Sequence, residues 1–233
     1  MIDGIKQKLL DISQPCPERD RVFVLKYLGT NKEYLNIPAP ARDKIISKVI
    51  VETSDLPPEK IIEILDELFS SGIYDYINFA GKFLSKNKTI RNSISLDQLE
   101  SWIAQTKGWA ECDSICQSMF GGVEVLDRWK EWARAIKEFS SSDNIQIRRA
   151  SLVLQTRPAR EVTDLNFRRL AFITIEKLMD ERDILITKAI SWLLRDLSIK
   201  NKTEVRKFLK TNQSVLPAIA YRETMKKIET GKK

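Results

Sequence analysis

The chain contains no histidine. That absence removes the Ser–His–Asp and Cys–His nucleophile systems, because each needs an imidazole to take the proton from the attacking group. It also removes the imidazole ligands of the common zinc sites. The three cysteines, Cys16, Cys112 and Cys116, are odd in number and form no disulfide framework. Cys112 and Cys116 stand four apart in a helical stretch. Without histidine or a further cysteine pair they read as small buried hydrophobes of a reducing cytoplasm, and no metal is expected. Glycine and proline number eight each, too few for a loop-rich or disordered chain. No apolar run approaches the ~20 residues that a spanning helix needs. The start, Met1-Ile2-Asp3-Gly4-Ile5-Lys6, lacks the basic-then-apolar pattern of a secretion signal. Neither a GxxxxGK[ST] phosphate loop nor a GxGxxG turn occurs. A hydrolase built on this chain has to work with a carboxylate and without a nucleotide cradle.

What is present is helix. Apolar residues recur with a period of 3.6 and almost nowhere alternate as in a strand. Helices are expected at 3–13 and 16–29, from Pro40 through Ile50, and from Pro58 to about Gly72. Further helices are expected at 73–87, 94–106, 110–120, 123–140, 143–156, 163–179, 183–199, 202–211 and 214–229. Pro38-Ala39-Pro40, Gly121-Gly122, Ser140 to Asp143, Arg157-Pro158 and Asn201 punctuate them. Helix pairs therefore return about every 35–45 residues, near the period of HEAT-like and armadillo-like arrays. The fold expected is all-α, a solenoid of stacked helix pairs (an α–α superhelix) with a concave binding surface, the alternative being a compact bundle. No low-complexity linker interrupts the 233 residues, so one domain over 1–233 is expected. The net charge of +7 favours an anionic partner, such as nucleic acid or an anionic membrane surface, with plain solubility as the bland explanation for part of it.

Several residues separate from the core pattern. Trp129, Trp132, Ala133, Ile136 and Phe139 recur at helical spacing and read as packing, as does Trp102 beside Leu99 and Ile103. Trp192 lies off the core stripe Ile186, Ile190, Leu193 and Leu197, between Lys188 and Arg195. It can stack on a nucleic-acid strand, or it can cover a neighbouring helix with cations over its ring; the helix alone does not decide. Arg149 stands two residues from Ile147 and so opposite the stripe Ile147, Ala150 and Leu154, with Arg148 at its side. There it can clamp a phosphate or simply face solvent. In Lys107-Gly108-Trp109-Ala110-Glu111-Cys112-Asp113, an aromatic and a carboxylate four apart share one helix face. Asp113 could also cap a helix, and Trp109 could staple its start.

Taken in order, these segments resemble the DNA alkylation repair family of HEAT-like-repeat glycosylases, the AlkD type. The resemblance is carried by Trp109-x-x-x-Asp113-Ser114-Ile115, by Ser142-Asp143-Asn144-Ile145 with Arg149-Ala150, and by Lys188-Ala189-Ile190-x-Trp192-x-Leu194-Arg195. The segment from Tyr27 to Arg42, with Leu35-x-Ile37-x-x-Pro40-x-Arg42, is also similar, and the whole spans roughly 20–225. It implies hydrolysis of the glycosidic bond of N3- and N7-alkylated purines in duplex DNA, with no cofactor and no metal. It implies catalytic roles for Asp113, Trp109 and Trp192. DNA contacts would come from Arg149, with Arg148, Tyr27, Arg42, Lys188 and Arg195 beside them. A monomer in a bacterial cytoplasm, working at the nucleoid without a deep base-flipping pocket, goes with it. The chain departs from the family in having Ala110 where aspartate is frequent, and Pro38 and Asp43 where polar or basic groups stand. Two rivals belong to other classes: a non-catalytic HEAT-like protein binding unusual or branched DNA, and a helical-repeat scaffold for an acidic protein.

Overall fold

The computed structural model describes residues 1–232. The helices fall into two compact units, Met1–Met119 and a second that begins at Phe120. The first unit holds α1 (Ile2–Leu10), α2 (Glu18–Leu28), α3 (Ala39–Glu52), α4 (Pro58–Ser70), α5 (Tyr74–Lys86), α6 (Lys88–Ser93), α7 (Leu96–Ala104) and α8 (Trp109–Cys116). The second holds α9 (Gly122–Asp127), α10 (Trp129–Phe139), α11 (Ile145–Val153), α12 (Thr156–Glu161), α13 (Leu165–Leu178), α14 (Ile184–Lys200), α15 (Lys202–Thr211) and α16 (Ala218–Thr230). The fold is all-α and of the helical-repeat kind. Among the described residues the isolated β contact is a parallel bridge between Glu33 and Ile73.

Each unit is built around one enclosed helix. In the first it is α5, whose Tyr76, Ile77, Phe79, Ala80, Phe83 and Leu84 are all buried. Helices α3, α4 and α8 pack on it. The amphipathic α4 lays Ile61, Leu65, Leu68 and Phe69 inward at helical spacing, and Trp102 of α7 closes over Phe69 with ring centroids 4.5 Å apart. In the second unit the enclosed helix is α14, packed by α11, α12, α13, α15 and α16. Its Ile186, Ile190, Leu193 and Leu197 are fully buried, as the stripe predicts. Burying a side chain of this size stabilises by about 1.5–3 kcal/mol, so these two helices carry much of each unit's core energy.

Capping explains where the helices begin. Ser95, Asn144, Asp164 and Asp183 each accept a backbone N–H from the first turn that follows. Pro40 sits in the first turn of α3, where its missing N–H costs nothing. Three expectations change. The helix read over 123–140 is two, α9 and α10, because Arg128 leaves helical geometry at φ −110° and ψ 29°. The short α6 is an addition, started by the Asn87 side chain accepting from the Ile90 N–H. Arg157-Pro158 is helix rather than a break, because Pro158 falls in the first turn of α12.

Candidate functional site

Helix α8 is seated by two glycines. A Cβ at Gly108, its N-cap, would lie 2.4 Å from the Leu28 carbonyl oxygen, so only glycine lets the α8 start meet the end of α2. That end turns through Gly29 in the left-handed region at φ 69°. Further along, a Cβ at Gly81 of α5 would lie 2.7 Å from the Ser114 carbonyl oxygen. Glu111 then ties the seat together. It is fully buried, its carboxylate accepting from the Thr30 hydroxyl and from the Lys107 N–H at 2.9 Å.

On this seat stand the two residues that the spacing singled out. Trp109 is half-buried, and its indole Nε1–H donates to the Tyr27 carbonyl oxygen at 2.7 Å. The Tyr27 ring meets the indole edge-on, centroids 5.6 Å apart and planes at 89°, and is itself 65% exposed. Asp113 follows one turn later, also half-buried. Because the Tyr27 carbonyl satisfies the indole N–H, holding the ring does not consume the carboxylate. The structure thus brings Tyr27, Trp109 and Asp113 together within the first unit.

Arg42 belongs to the same unit but faces inward. Its guanidinium donates to the Asn78 side chain and to Asp43, and its side chain is 12% exposed. Nearby, buried Asp75 accepts from the Leu35 and Ile37 N–H groups at 2.8 and 3.2 Å. Burial pushes the Asp75 carboxyl above the usual range, and those N–H groups and Arg42 pull it back only in part. The segment Leu35 to Arg42 is therefore shaped by a residue that sequence reasoning missed. The available signal was an acid in the first turn of α5.

The second unit holds the remaining candidates, and here two placements are corrected. Arg149 is 3% exposed and its guanidinium donates to the Leu185 carbonyl oxygen, tying α11 to the start of α14. A surface phosphate anchor was expected because Arg149 lies opposite Ile147. But α11 is enclosed by α10, α12, α13 and α14, so it has no single solvent face. Arg195 likewise points to α16, where Glu223 accepts from it at 2.5 Å and from Ser191 at 2.6 Å. Arg148 is half-buried, bridging to Glu181 at 2.7 Å and donating to the Ser142 and Asp143 carbonyls. Hydrogen bonding to Glu181 holds its guanidinium above the ordinary range. Lys188 is exposed and has no ion-pair partner among the described residues.

Trp192 is half-buried on α14. One turn further along the same helix, the Asp196 carboxylate accepts from Arg160 of α12. Asp196 was not singled out from the sequence, although Trp192-x-x-x-Asp196 repeats the spacing of Trp109-x-x-x-Asp113. The expected core tryptophans are in place, with Trp102 and Trp132 buried and Trp129 half-buried against Trp132. Cys112 and Cys116 are buried with sulfurs 3.9 Å apart.

Charge divides unevenly. Residues 1–119 carry 15 Lys and Arg against 17 Asp and Glu, a net of −2, while residues 120–233 carry 24 against 15, a net of +9. Among the described residues no helix is long and apolar enough to cross a membrane. Nor, among them, does any group of three or more His, Cys, Asp or Glu side chains offer a metal site.

Short helices packed around an enclosed helix in each unit define an all-α helical-repeat protein. The family model described as DNA alkylation repair enzyme matches residues 6–228, and the chain belongs to that family. Membership implies DNA as the partner. The fold is similar to that of a protein from Enterococcus faecalis described as a predicted DNA alkylation repair enzyme. The match has a TM-score of 0.76 and 22% identity, over 94% of this chain and 99% of that one. No protein of curated function matches the chain.

Proposed function

We propose that the chain is a monofunctional DNA glycosylase that hydrolyses the glycosidic bond of positively charged N3- and N7-alkylated purines in duplex DNA, 3-methyladenine and 7-methylguanine among them. The observation that carries this reading is the seat of α8. It holds Trp109 by its edge through the Tyr27 carbonyl and sets Asp113 one turn away without drawing on it for that purpose.

The chemistry suits a protein without histidine. An alkylated N3 or N7 makes the purine cationic, so the base leaves neutral once its bond to C1′ breaks, and no general acid has to protonate it. Positive charge then gathers on the sugar. Asp113 stabilises that charge electrostatically and orients the water that adds to C1′, accepting its proton. The Trp109 and Trp192 faces contribute aromatic contacts to the strand, with Tyr27 and Lys188 as further DNA contacts. No lysine nucleophile is invoked, so no strand-cleaving lyase step follows. The protein acts as a monomer over 1–233, in the cytoplasm at the nucleoid, and needs neither metal nor cofactor, so activity is expected to persist in EDTA.

The test is release of 7-methylguanine and 3-methyladenine from methylated duplex DNA by wild type and by Asp113→Asn. Wild type is expected to release both bases, and the variant to lose about a hundredfold or more in single-turnover rate while still binding DNA. Equal rates would remove Asp113 from its role. Tight binding without release by either protein would replace the glycosylase with a non-catalytic DNA binder. Weak binding with little salt dependence would favour the protein scaffold.

A further inference from the structure

Helix α2 presents an exposed apolar face. Inward it packs mainly on α8, with Leu28 buried and Val24 and Leu25 half-buried. Outward it shows Val22 at 56%, Phe23 at 70% and Tyr27 at 65% exposure. Among the described residues Phe23 and Tyr27 are the two exposed aromatics, every other ring being buried or half-buried. Single exposed apolar residues are ordinary on a protein surface, whereas an aromatic pair one turn apart on the same helix face, with Val22 beside it, is the kind of patch that meets a partner.

The charges on that face say what the partner is. Arg19, Phe23, Lys26 and Tyr27 fall within an arc of about 100° around the helix axis, with Asp20 and Val22 on its flanks. Arg19 and Lys26 are exposed, and neither side chain has an ion-pair or hydrogen-bond partner among the described residues. Other cations of the chain are spent on carboxylates, as Arg148 is on Glu181 and Arg168 on Glu204. Unpaired cations interleaved with aromatic rings suit a polyanion that also offers flat faces, which is a nucleic-acid strand. A second copy of the chain across a two-fold axis would instead set these cations against their own images. The face is also continuous with the Trp109 site, because the Tyr27 and Trp109 rings meet with centroids 5.6 Å apart.

We propose that this face of α2 is a DNA-contacting surface, with Phe23 laid against a sugar or base face of one strand and Arg19 and Lys26 on its phosphates. It rests on the reading of Tyr27 and Trp109 as DNA contacts. Four residues of helix rise about 6 Å, close to the rise of two nucleotides along a strand. With α2 running along the strand, Phe23 meets it about two nucleotides from Tyr27, beyond the nucleotide that reacts. Its part is to hold the flank of the lesion, and it takes no part in breaking the glycosidic bond.

The experiment measures the affinity of the full chain for one duplex, methylated and unmethylated, by fluorescence anisotropy over a range of salt. Phe23→Ala is expected to weaken binding to both about tenfold with the salt slope unchanged, the scale of one lost aromatic stack. Phe23→Tyr keeps the ring and is expected to bind as wild type does. Arg19→Ala combined with Lys26→Ala is expected to lower the salt slope by about two, one for each phosphate contact. These positions are exposed, so the melting temperatures should stay at the wild-type value. Val51→Ala, at 72% exposure on α3, is the surface control and should leave affinity unchanged. Unchanged affinity in Phe23→Ala would overturn the proposal, and so would an equal loss in Val51→Ala. With DNA affinity intact in Phe23→Ala, a wild-type dimer that this variant turns into a monomer would give the face to a second copy. Binding to phosphatidylserine vesicles that the variant loses would, in the same way, give it to a membrane surface. Base release by wild type together with unchanged affinity in Phe23→Ala would sink this face and leave the glycosylase standing. DNA binding that needs Phe23, without base release, would do the reverse. No DNA binding by wild type would overturn both.

Discussion

The two units present a half-buried tryptophan from opposite positions in their architecture. In the first, Trp109 stands on α8, a short helix laid on the enclosed α5 through Gly81 and against the end of α2 through Gly108. In the second, Trp192 stands on α14, which is itself the enclosed helix. Trp109 is held from outside, by a backbone carbonyl of α2, and its i+4 carboxylate is not spent on it. Trp192 lies half-buried on α14, and its i+4 carboxylate is engaged by Arg160 of α12. The difference teaches that equal spacing need not mean equal role.

The sharpest way to break the comparison is at the enclosed helix. Arg149→Ala removes the guanidinium that α11 sends to the Leu185 carbonyl at the start of α14. Deleting one partner of a buried, charge-assisted contact costs about 3 kcal/mol or more, so the thermal midpoint of the variant is expected to fall by several degrees. A variant of unchanged stability that binds DNA more weakly would return Arg149 to the surface role first expected of it. The next effect lies at the seat of α8. Gly108→Ala places a methyl against the Leu28 carbonyl and forces a backbone shift, an overpacking of about 1–3 kcal/mol. Near-ultraviolet dichroism should report the altered Trp109 environment, whereas Gly4→Ala, with open space around it, should leave that signal unchanged. The smallest effect separates the charges. Lys188→Ala is expected to leave the folding stability within about 0.5 kcal/mol of wild type and to reduce the salt slope of DNA binding by about one. A slope that does not change would take Lys188 out of the contact set.

Legibility followed enclosure. The stripe of α14 and the burial of Trp102 and Trp132 were visible in the sequence, because a repeating apolar period states its own geometry. Trp109 and Asp113 were visible because four residues along a helix is one turn. Arg149 and Arg195 were misplaced for a shared reason. Helical-wheel reasoning supposes one buried face and one wet one, and α11 and α14 are surrounded by neighbours that a single helix cannot reveal. Asp75 and Glu111 escaped because their partners are backbone N–H groups and a hydroxyl on distant segments, at Leu35, Ile37 and Thr30. The division at Arg128 depends on one backbone angle, to which arginine is indifferent. Gly81 and Gly108 were plain glycines until the helices they admit were in place.

The atom that aligns Trp109 belongs to the main chain of residue 27, not to its side chain. Every amino acid carries that oxygen. The alignment of Trp109 is therefore inherited with the fold, while the tyrosine ring beside it is open to replacement. The chain can exchange the surface it offers at position 27 without disturbing the tryptophan next door.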